Sequence, residues 1–451
     1  MEKRAKFSSR IGFVMAAAGS AVGLGNIWRF PYLAARYGGG IFLLVYVLLV
    51  VTFGFTLMMA ETALGRKTGL SVIGAYGALN KKWSFLGLLS AAVPMIILPY
   101  YCVIGGWVAK YFFEFVSGGG AAAAGEAFFP DFVSSSLPPL LWMLLFVGLT
   151  FVVVLLGVAK GVEKASRILM PVLIVLSVAV AIYSLTLPGA GAGIAYYLLP
   201  DFSKFSVETV LAAMGQMFYS MSLAMGIMVT YGSYMKKDED LEKSVKQIEL
   251  FDCGVSLLAG LMIVPAVFVF SGGNAAAINA GPSLMFVTMP NVFLSMGPAG
   301  TVVGVAFFLL VLFAALTSSI SLMETIVSIF CDKFKLDRKK ACYIVLAAVT
   351  AIAIPSSLGY GLWEGLKPLG MSILDFFDFI SNSVLMPVVA LLTCIFIGYI
   401  IKPKAIAEEV KLSSKFKREK MFNAFIKYVS PLLVVAILAS SVMNSLGIIT
   451  L

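Results

Sequence analysis

The chain has no histidine and carries little charge. Asp, Glu, Lys and Arg make up 12% of its 451 residues, whereas 60% of the residues are hydrophobic and the mean hydropathy is +0.99. Without histidine there are no Ser-His triads, zinc-protease motifs or histidine proton relays. No Gly-x-Ser-x-Gly sequence occurs either. These absences argue against an enzyme.

Cysteine is also scarce. None of the five cysteines has a partner at the spacing of a disulfide framework or of a metal site. All of them lie within or beside apolar runs, so we expect them to be packing residues. They are Cys102, Cys253, Cys331, Cys342 and Cys394.

Apolar runs of the length that spans a bilayer recur along the whole chain (about 20 residues as a helix). They predict an all-α membrane protein with one transmembrane domain over residues 1–451. We place eleven spans at 11–36, 41–66, 84–117, 137–158, 163–187, 207–235, 243–271, 299–331, 339–356, 371–401 and 421–449. The basic start also resembles a signal peptide, but Asn26 and Arg29 follow at once and favour a first span.

The net charge of +10 at pH 7 is better explained by membrane topology than by binding to nucleic acid. Lys and Arg collect in alternate loops, and the intervening loops hold almost none. This is the pattern of the positive-inside rule. It predicts a cytoplasmic N-terminus and, with eleven spans, an external C-terminus.

Two predicted spans are interrupted, the first at Gly19 to Asn26 and the sixth at Gly215 to Gly226. Interrupted helices in matching positions point to a binding site between inverted repeats. The alternative for the first span is a close helix-packing face at Gly19-x-x-x-Gly23. Asn26, Arg29 and Pro31, all within two turns, make that alternative a poor explanation.

The stretch GSAVGLGNIWRFPY (19–32), the second broken span and FAALTSS (313–319) together resemble the neurotransmitter:sodium symporter family. The resemblance implies the LeuT fold: two inverted five-helix repeats, about 11–187 and 207–401, plus one additional helix at about 421–449. Helices 1 and 6 would be unwound at mid-membrane. It also implies sodium-coupled amino-acid import by alternating access across a bacterial-type inner (plasma) membrane, with no organic cofactor.

Two sodium ions are expected from the resemblance, held mainly by uncharged oxygens. The first site would comprise Ala21, Asn26, Ser220 and Asp252, completed by the substrate carboxylate. The second site would comprise Gly19, Val22, Ala314, Thr317 and Ser318. By themselves, the hydroxyls of Thr317 and Ser318 would indicate ordinary back-bonding within a membrane helix, and only their place in FAALTSS (313–319) favours a sodium site.

Asp252 departs from the asparagine that many members carry, and Ser256 follows one turn later. An acid inside a span is costly unless it pairs or binds a cation. Because Asp252 brings its own negative charge, we expect transport without chloride. Asp252 would be either a sodium ligand or a proton acceptor once sodium has left. Simple pairing with a nearby cation is the alternative.

The substrate is expected to be a neutral amino acid, because Gly23 stands where monoamine-transporting relatives carry an aspartate. The other pocket side chains are uncharged, and Met225 can re-pack around bulky or aromatic groups. The expected substrate-binding residues are Ala21, Gly23, Gly25, Ile97, Tyr101, Tyr219, Ser220, Ser222, Met225, Ser318 and Leu322. Tyr101 would donate a hydrogen bond to the substrate carboxylate, and its neighbour Tyr100 would only pack.

Two gates follow from the same resemblance. Arg29 would pair with Asp378 on the outer side, near Gln216, and Arg4 would pair with Asp332 on the inner side. A snorkelling arginine is the alternative for Arg29.

Two further features complete the predicted site. Glu61 would be a buried structural acid. Gly161 and Pro171 would let the fifth span unwind at its cytoplasmic end.

Two rival functions remain at this stage. A proton-coupled carrier on the same fold would use Asp252, Glu61 or Asp378 as the titrating group. A membrane sensor would recognise an amino acid without moving it, but it would not need two gates. No span carries a motif that predicts a dimer face.

Overall fold

The computed structural model describes residues 5–272 and 281–445. Within these ranges, nine continuous helices are long and apolar enough to cross a membrane, and two shorter helices bent by 54° form a further span. The membrane helices are α1 (Arg10–Ala21 and Gly25–Arg36), α2 (Gly40–Thr68), α3 (Lys81–Val116), α4 (Pro138–Leu155), α5 (Val158–Leu185), α6 (Val207–Ser220 and Ile227–Tyr234), α7 (Leu241–Phe270), α8 (Pro298–Phe334), α9 (Arg338–Leu358), α10 (Ile373–Ile400) and α11 (Glu419–Asn444). Ten predicted spans coincide with the nine continuous helices and the bent pair α1, and the sixth coincides with the two short helices of α6, which confirms the all-α membrane fold.

Shorter helices connect the spans. They are Val72–Leu79, Gly120–Ala123, Phe128–Ser134, Ala190–Leu198, Leu284–Ser295 and Pro403–Lys411. The last of these lies between α10 and α11 and packs against α2.

Short polar side chains define where several spans begin. Ser9 accepts a hydrogen bond from the Gly12 amide at 3.2 Å, and Ser206 accepts one from the Thr209 amide at 3.2 Å. Asp240 does the same for the start of α7, with 2.9 Å to the Lys243 amide. Such caps satisfy amides that the first helical turn leaves without intrahelical partners.

The break in α1 begins at Val22, whose ψ of 95° is extended rather than helical. The Asn26 side chain folds back across the break, where its Oδ1 accepts a hydrogen bond from the Gly23 amide at 2.9 Å. The helix resumes at Gly25 with a π-helical turn. An amide side chain therefore supplies part of the bonding that the interrupted helix has lost.

The break in α6 runs from Met221 to Gly226 and contains left-handed backbone at Ser222 (φ 53°) and Ala224 (φ 60°). Left-handed conformations are unfavourable for residues that carry a Cβ. Two hydrogen bonds stabilise the left-handed residues Ser222 and Ala224. The Ala224 amide donates to Glu61 Oε1 on α2 at 2.7 Å, and the Ser222 hydroxyl donates to the Ser20 carbonyl in α1 at 3.0 Å. Glu61 is thus a structural acid, as expected from the sequence.

The broken helices lie inside a shell formed by the continuous ones. α1 packs against α5, α7 and α8, and both halves of α6 pack against α2. Leucine and valine side chains on α4 and α5 face outward, with Leu141 55% exposed and Val175 66% exposed, as expected of a lipid-facing surface. The breaks are therefore shielded from lipid by protein.

Replacing Glu61 by alanine should leave the Ala224 amide buried without an acceptor. We expect a loss of stability of about 1–3 kcal/mol, seen as a lower melting temperature of the detergent-purified protein. Glu61→Gln keeps an acceptor oxygen and should retain most of the stability, and Glu126→Ala, in an exposed loop, is the matched control. Equal melting of the Ala and Gln variants would contradict the role of this hydrogen bond.

Candidate functional site

A cavity lies where the two breaks face α3 and α8. Its lining includes all eleven residues predicted to bind substrate, together with Ser20, Leu24, Asn26 and Ile227. The residues that the sequence places far apart thus share one site.

Glycine is required at two of the lining positions. A Cβ at Gly23 would lie 2.8 Å from Ser318 Oγ and 3.3 Å from the Tyr101 hydroxyl, and a Cβ at Gly25 would lie 2.6 Å from the Tyr219 ring. Any side chain at Gly23 would therefore enter the space between Tyr101 and Ser318. This supports the prediction that the glycine leaves room for a ligand.

The hydroxyls in the cavity are organised around one carbonyl oxygen. The Ser20 carbonyl accepts hydrogen bonds from Ser222 at 3.0 Å and from Ser318 at 3.1 Å. The Tyr101 hydroxyl accepts a hydrogen bond from the Leu24 amide at 3.5 Å. Both breaks and α8 are thereby joined at the cavity, and no formally charged side chain lines it among the described residues.

Asp252 on α7 lies next to the cavity and is fully buried. Its Oδ1 accepts from Asn26 Nδ2 at 2.7 Å. Its Oδ2 accepts from the Tyr46 hydroxyl at 3.1 Å and from Ser220 Oγ at 3.2 Å. Of the four residues predicted for the first sodium site, Asn26 and Ser220 therefore both bind Asp252, and the fourth, Ala21, lines the adjacent cavity.

Tyr46 and Ser256 complete this cluster. Ser256 Oγ accepts from Asn26 Nδ2 at 2.8 Å and lies 3.3 Å from the Tyr46 hydroxyl. Tyr46 was not among the predicted site residues. The argument that singled out Tyr101, a tyrosine in mid-span that needs a polar partner, applies equally to Tyr46 in α2.

The residues of the second predicted sodium site lie where α1 meets α8. Ser318 Oγ is 3.5 Å from the Gly19 carbonyl, and Thr317 Oγ1 donates to the carbonyls of Phe313 at 3.0 Å and Ala314 at 3.1 Å. A Cβ at Gly19 would lie 3.1 Å from the Thr317 side chain. Val22, the remaining member, begins the break itself.

The outer gate differs from the expected ion pair. Arg29 and Asp378, both described, are not in salt-bridge contact. The Arg29 guanidinium lies 5.8 Å from the centre of the Tyr219 ring. The Asp378 carboxylate accepts hydrogen bonds from Tyr100 at 3.0 Å and from Asn382 at 2.5 Å. The expectation that Tyr100 only packs was wrong, because its hydroxyl binds the gate acid.

Gln216 lies close to this outer side. Its Nε2 donates to the Gly25 carbonyl at 3.0 Å, which connects the first half of α6 to the second half of α1. The three predicted outer-gate residues thus each have a different partner: Arg29 lies over the cavity-lining Tyr219, Asp378 binds Tyr100 and Asn382, and Gln216 binds the Gly25 carbonyl.

On the opposite side, Arg4 of the predicted inner gate lies outside the described residues. Asp332 accepts a hydrogen bond from the Ser71 amide at 2.7 Å. Phe7 is buried against the rings of Phe13, Tyr231 and Tyr234 at centroid distances of 5.5–5.9 Å. The N-terminal segment therefore covers this end of the broken helices.

A buried acid that the sequence reading missed holds the same end together. Glu324 on α8 is fully buried, accepts from the Tyr234 hydroxyl at 2.8 Å, and binds Arg338 at the start of α9 through both guanidinium nitrogens, with one contact at 3.0 Å. Arg338 also donates to the Val154 carbonyl of α4 at 2.8 Å. An acid inside the predicted span 299–331 was the available signal.

The start of α5 is bound to the N-terminal segment. Glu163 accepts from the Ser8 amide at 2.7 Å and pairs with Arg167 at 2.8 Å. The segment Val158–Glu163, which contains Gly161, is π-helical, and Pro171 lies inside the helix that follows. These are the positions at which unwinding of the fifth span was predicted.

Residues 4–119 and 136–448 match the sodium:neurotransmitter symporter family. The chain belongs to this family. It is therefore an integral membrane protein and a sodium-dependent symporter of the family, not an enzyme.

Three individual similarities extend this result. The chain is 36% identical to the uncharacterized sodium-dependent transporter YhdH of Bacillus subtilis (strain 168), over 100% of this chain and 99% of that protein. It is 27% identical to the human sodium- and chloride-dependent taurine transporter, over 88% of this chain and 72% of that protein. The crystal structure of MhsT in complex with L-phenylalanine superimposes with a TM-score of 0.87 at 37% identity, covering 97% of this chain and 100% of that chain. The LeuT-type fold expected from the sequence is confirmed.

Arg338→Ala should leave the Glu324 carboxylate buried without its cation. Loss of one partner of a buried ion pair costs on the order of 3 kcal/mol, so a clear drop in melting temperature is expected. Lys339→Ala, at the adjacent exposed position, is the control. Adding Glu324→Gln to Arg338→Ala should restore part of the loss, and a double variant no more stable than Arg338→Ala would contradict the assignment.

Proposed function

We propose that the protein imports a neutral, hydrophobic or aromatic L-amino acid together with sodium, by alternating access and without chloride. Two sodium ions accompany each substrate. The N-terminus is cytoplasmic and the C-terminus external, as the charge distribution predicts. The observation that carries the proposal is the single cavity lined by all the predicted substrate residues, with Asp252 and Asn26 beside it.

The substrate carboxylate would lie beside Gly23, between the Tyr101 hydroxyl and the amides at the start of the second half of α1. Amides at a helix N-terminus favour a negative group. The carboxylate would then complete the oxygen shell of the first sodium ion with Ala21, Asn26, Ser220 and Asp252. Because ion and substrate share this shell, each increases the affinity for the other.

The substrate side chain would contact Ile97, Met225 and Leu322. The nearby side chains of Ser222 and Ser318 are uncharged, and their hydroxyls already donate hydrogen bonds to the Ser20 carbonyl. A neutral side chain is the best match for such a surface. The L-phenylalanine complex of MhsT supports the choice of a hydrophobic or aromatic amino acid.

Chloride independence rests on the surroundings of Asp252. Asn26, Tyr46 and Ser220 all donate to its carboxylate, so a fixed negative charge already occupies the centre of this ring of donors. A second anion would be repelled at this distance. The same charge offsets the positive charge of a sodium ion beside it.

Alternating access would use the two ends already described. On the inner side, Phe7 and the Glu324–Arg338 pair hold α1, α6, α8 and α9 together. On the outer side, Arg29 lies over the Tyr219 ring, and Asp378 binds Tyr100 and Asn382. Closure would bring Arg29 and Asp378 together over the substrate, and opening of the inner side would separate Phe7 from Tyr231 and Tyr234.

Uptake of labelled neutral amino acids into proteoliposomes tests the proposed coupling. Under an inward sodium gradient we expect concentrative uptake that is abolished when choline replaces sodium and retained when gluconate replaces chloride. Uptake that ignores sodium but follows a pH gradient would instead favour a proton-coupled carrier. Sodium-dependent binding with no uptake would favour a sensor.

Asp252→Asn should convert the cluster into an anion site. The amide removes the fixed charge while Tyr46, Ser220 and Ser256 keep their hydroxyls, so uptake by this variant should become chloride-dependent. We expect at least about a tenfold loss of uptake in gluconate, equivalent to about 1.4 kcal/mol, and substantial recovery in chloride. Asp201→Asn, on an exposed loop, is the control, and a variant unaffected by chloride would contradict the explanation.

A further inference from the structure

A groove of about 370 Å³ lies where α7 begins, next to the loop that precedes α11. It is lined by four lysines and two acids: Asp240, Glu242, Lys243, Lys246, Lys415 and Lys417. It is separate from the cavity at the helix breaks, and it lies among the basic loops that the charge distribution assigns to the cytoplasmic side.

The two acids are engaged in holding the loop. Asp240 Oδ1 accepts from the Ser414 hydroxyl at 2.9 Å as well as capping α7. Glu242 is buried and accepts from the Lys417 amide at 2.6 Å, and its other oxygen pairs with Lys246 at 2.5 Å. These contacts fix the loop against α7 and thereby define the shape of the groove.

Three lysines remain available to an external anion. Lys243, Lys415 and Lys417 are exposed, and none of them forms an ion pair with a carboxylate anywhere in residues 5–272 and 281–445. Of the two acids that line the groove, Asp240 binds the Ser414 hydroxyl, and Glu242 binds the Lys417 amide and pairs with Lys246. With four lysines against two acids, the groove carries net positive charge.

The groove continues into surface that a bilayer covers. Lys243, Lys246 and Leu250 follow one another along a single face of α7, and Leu250 is 72% exposed. On α11, Tyr428 and Leu432 are 68% and 70% exposed. Since exposed apolar side chains on spanning helices face lipid, the lysines lie at the level of the headgroups.

We propose that this groove binds the phosphate headgroup of an anionic phospholipid. Basic clusters immediately next to a membrane helix attract anionic headgroups. The groove adjoins the lipid-facing surface of α7 and α11, so the acyl chains of a bound phospholipid would contact this surface while its phosphate contacts the lysines. A soluble phosphate would gain only the charge interaction. This inference does not depend on the proposed substrate or ion coupling.

Native mass spectrometry of the full-length protein in mild detergent tests the proposal by titration with phosphatidylglycerol, phosphatidylcholine or inorganic phosphate. Wild type should bind phosphatidylglycerol saturably and at least about tenfold more tightly than phosphatidylcholine. Lys243→Gln/Lys415→Gln/Lys417→Gln should weaken phosphatidylglycerol binding by about tenfold or more. The corresponding triple arginine variant, which keeps the charge, should bind nearly as wild type does.

The matched control is Lys333→Gln/Lys339→Gln/Lys340→Gln, which removes the same charge from exposed positions around the start of α9. It should change the affinity by less than about twofold. Unchanged melting temperatures establish that all variants are folded. Equal weakening in the two glutamine variants, equal binding of the two lipids, or displacement of phosphatidylglycerol by excess inorganic phosphate would each overturn the proposal.

Discussion

The structure depends on how the polar backbone of two interrupted membrane helices is satisfied. An amide or carbonyl exposed to hydrocarbon would cost several kcal/mol (on the order of 2–7 for one without a partner), so the breaks exist only where other groups bind them. The Glu61 carboxylate accepts a hydrogen bond from the Ala224 amide, and the Asn26 side chain accepts one from the Gly23 amide. The Ser222 hydroxyl donates a hydrogen bond to the Ser20 carbonyl. The same irregular backbone that needs these partners also presents oxygens and amides to a cavity. Structural necessity and binding chemistry thus coincide in the same few residues.

A second consequence concerns Asp252. Its position deep in α7 is tolerable because Asn26, Tyr46 and Ser220 donate to it from three other helices. One carboxylate therefore links α1, α2, α6 and α7 at the cavity. An ion bound there would change the bonding of all four helices at once, which is the physical basis for coupling ion binding to a conformational change.

The two ends of the molecule are held by different kinds of interaction. The inner end relies on aromatic packing around Phe7 and on the buried Glu324–Arg338 pair, which joins α8 to α9. At the outer end, Arg29 contacts an aromatic ring and Asp378 contacts Tyr100 and Asn382. A bistable transporter needs contacts of this kind that can exchange partners, since packed interfaces switch between discrete arrangements.

The sequence by itself determined the number and order of the spans, because a bilayer demands long apolar helices and leaves an unmistakable pattern. It also identified the interruptions in the first and sixth spans, since Gly19 to Asn26 and Gly215 to Gly226 cannot face lipid. The family motif around these breaks placed Gly23, Tyr101 and Ser318 in one pocket, where the tertiary structure has them. The inverted-repeat relationship and the roles of the individual ligands stay predictions.

Only the tertiary structure decided which polar side chains meet. Mid-span tyrosines such as Tyr46 and Tyr100 need polar partners, but the sequence does not show that Asp252 and Asp378, on helices distant along the chain, supply them. The position of the Arg29 guanidinium over the Tyr219 ring, rather than in an ion pair with Asp378, is likewise decided by packing. Local patterns report the cost of a polar group in a membrane, but the partner that offsets this cost comes from another helix, and its identity depends on packing.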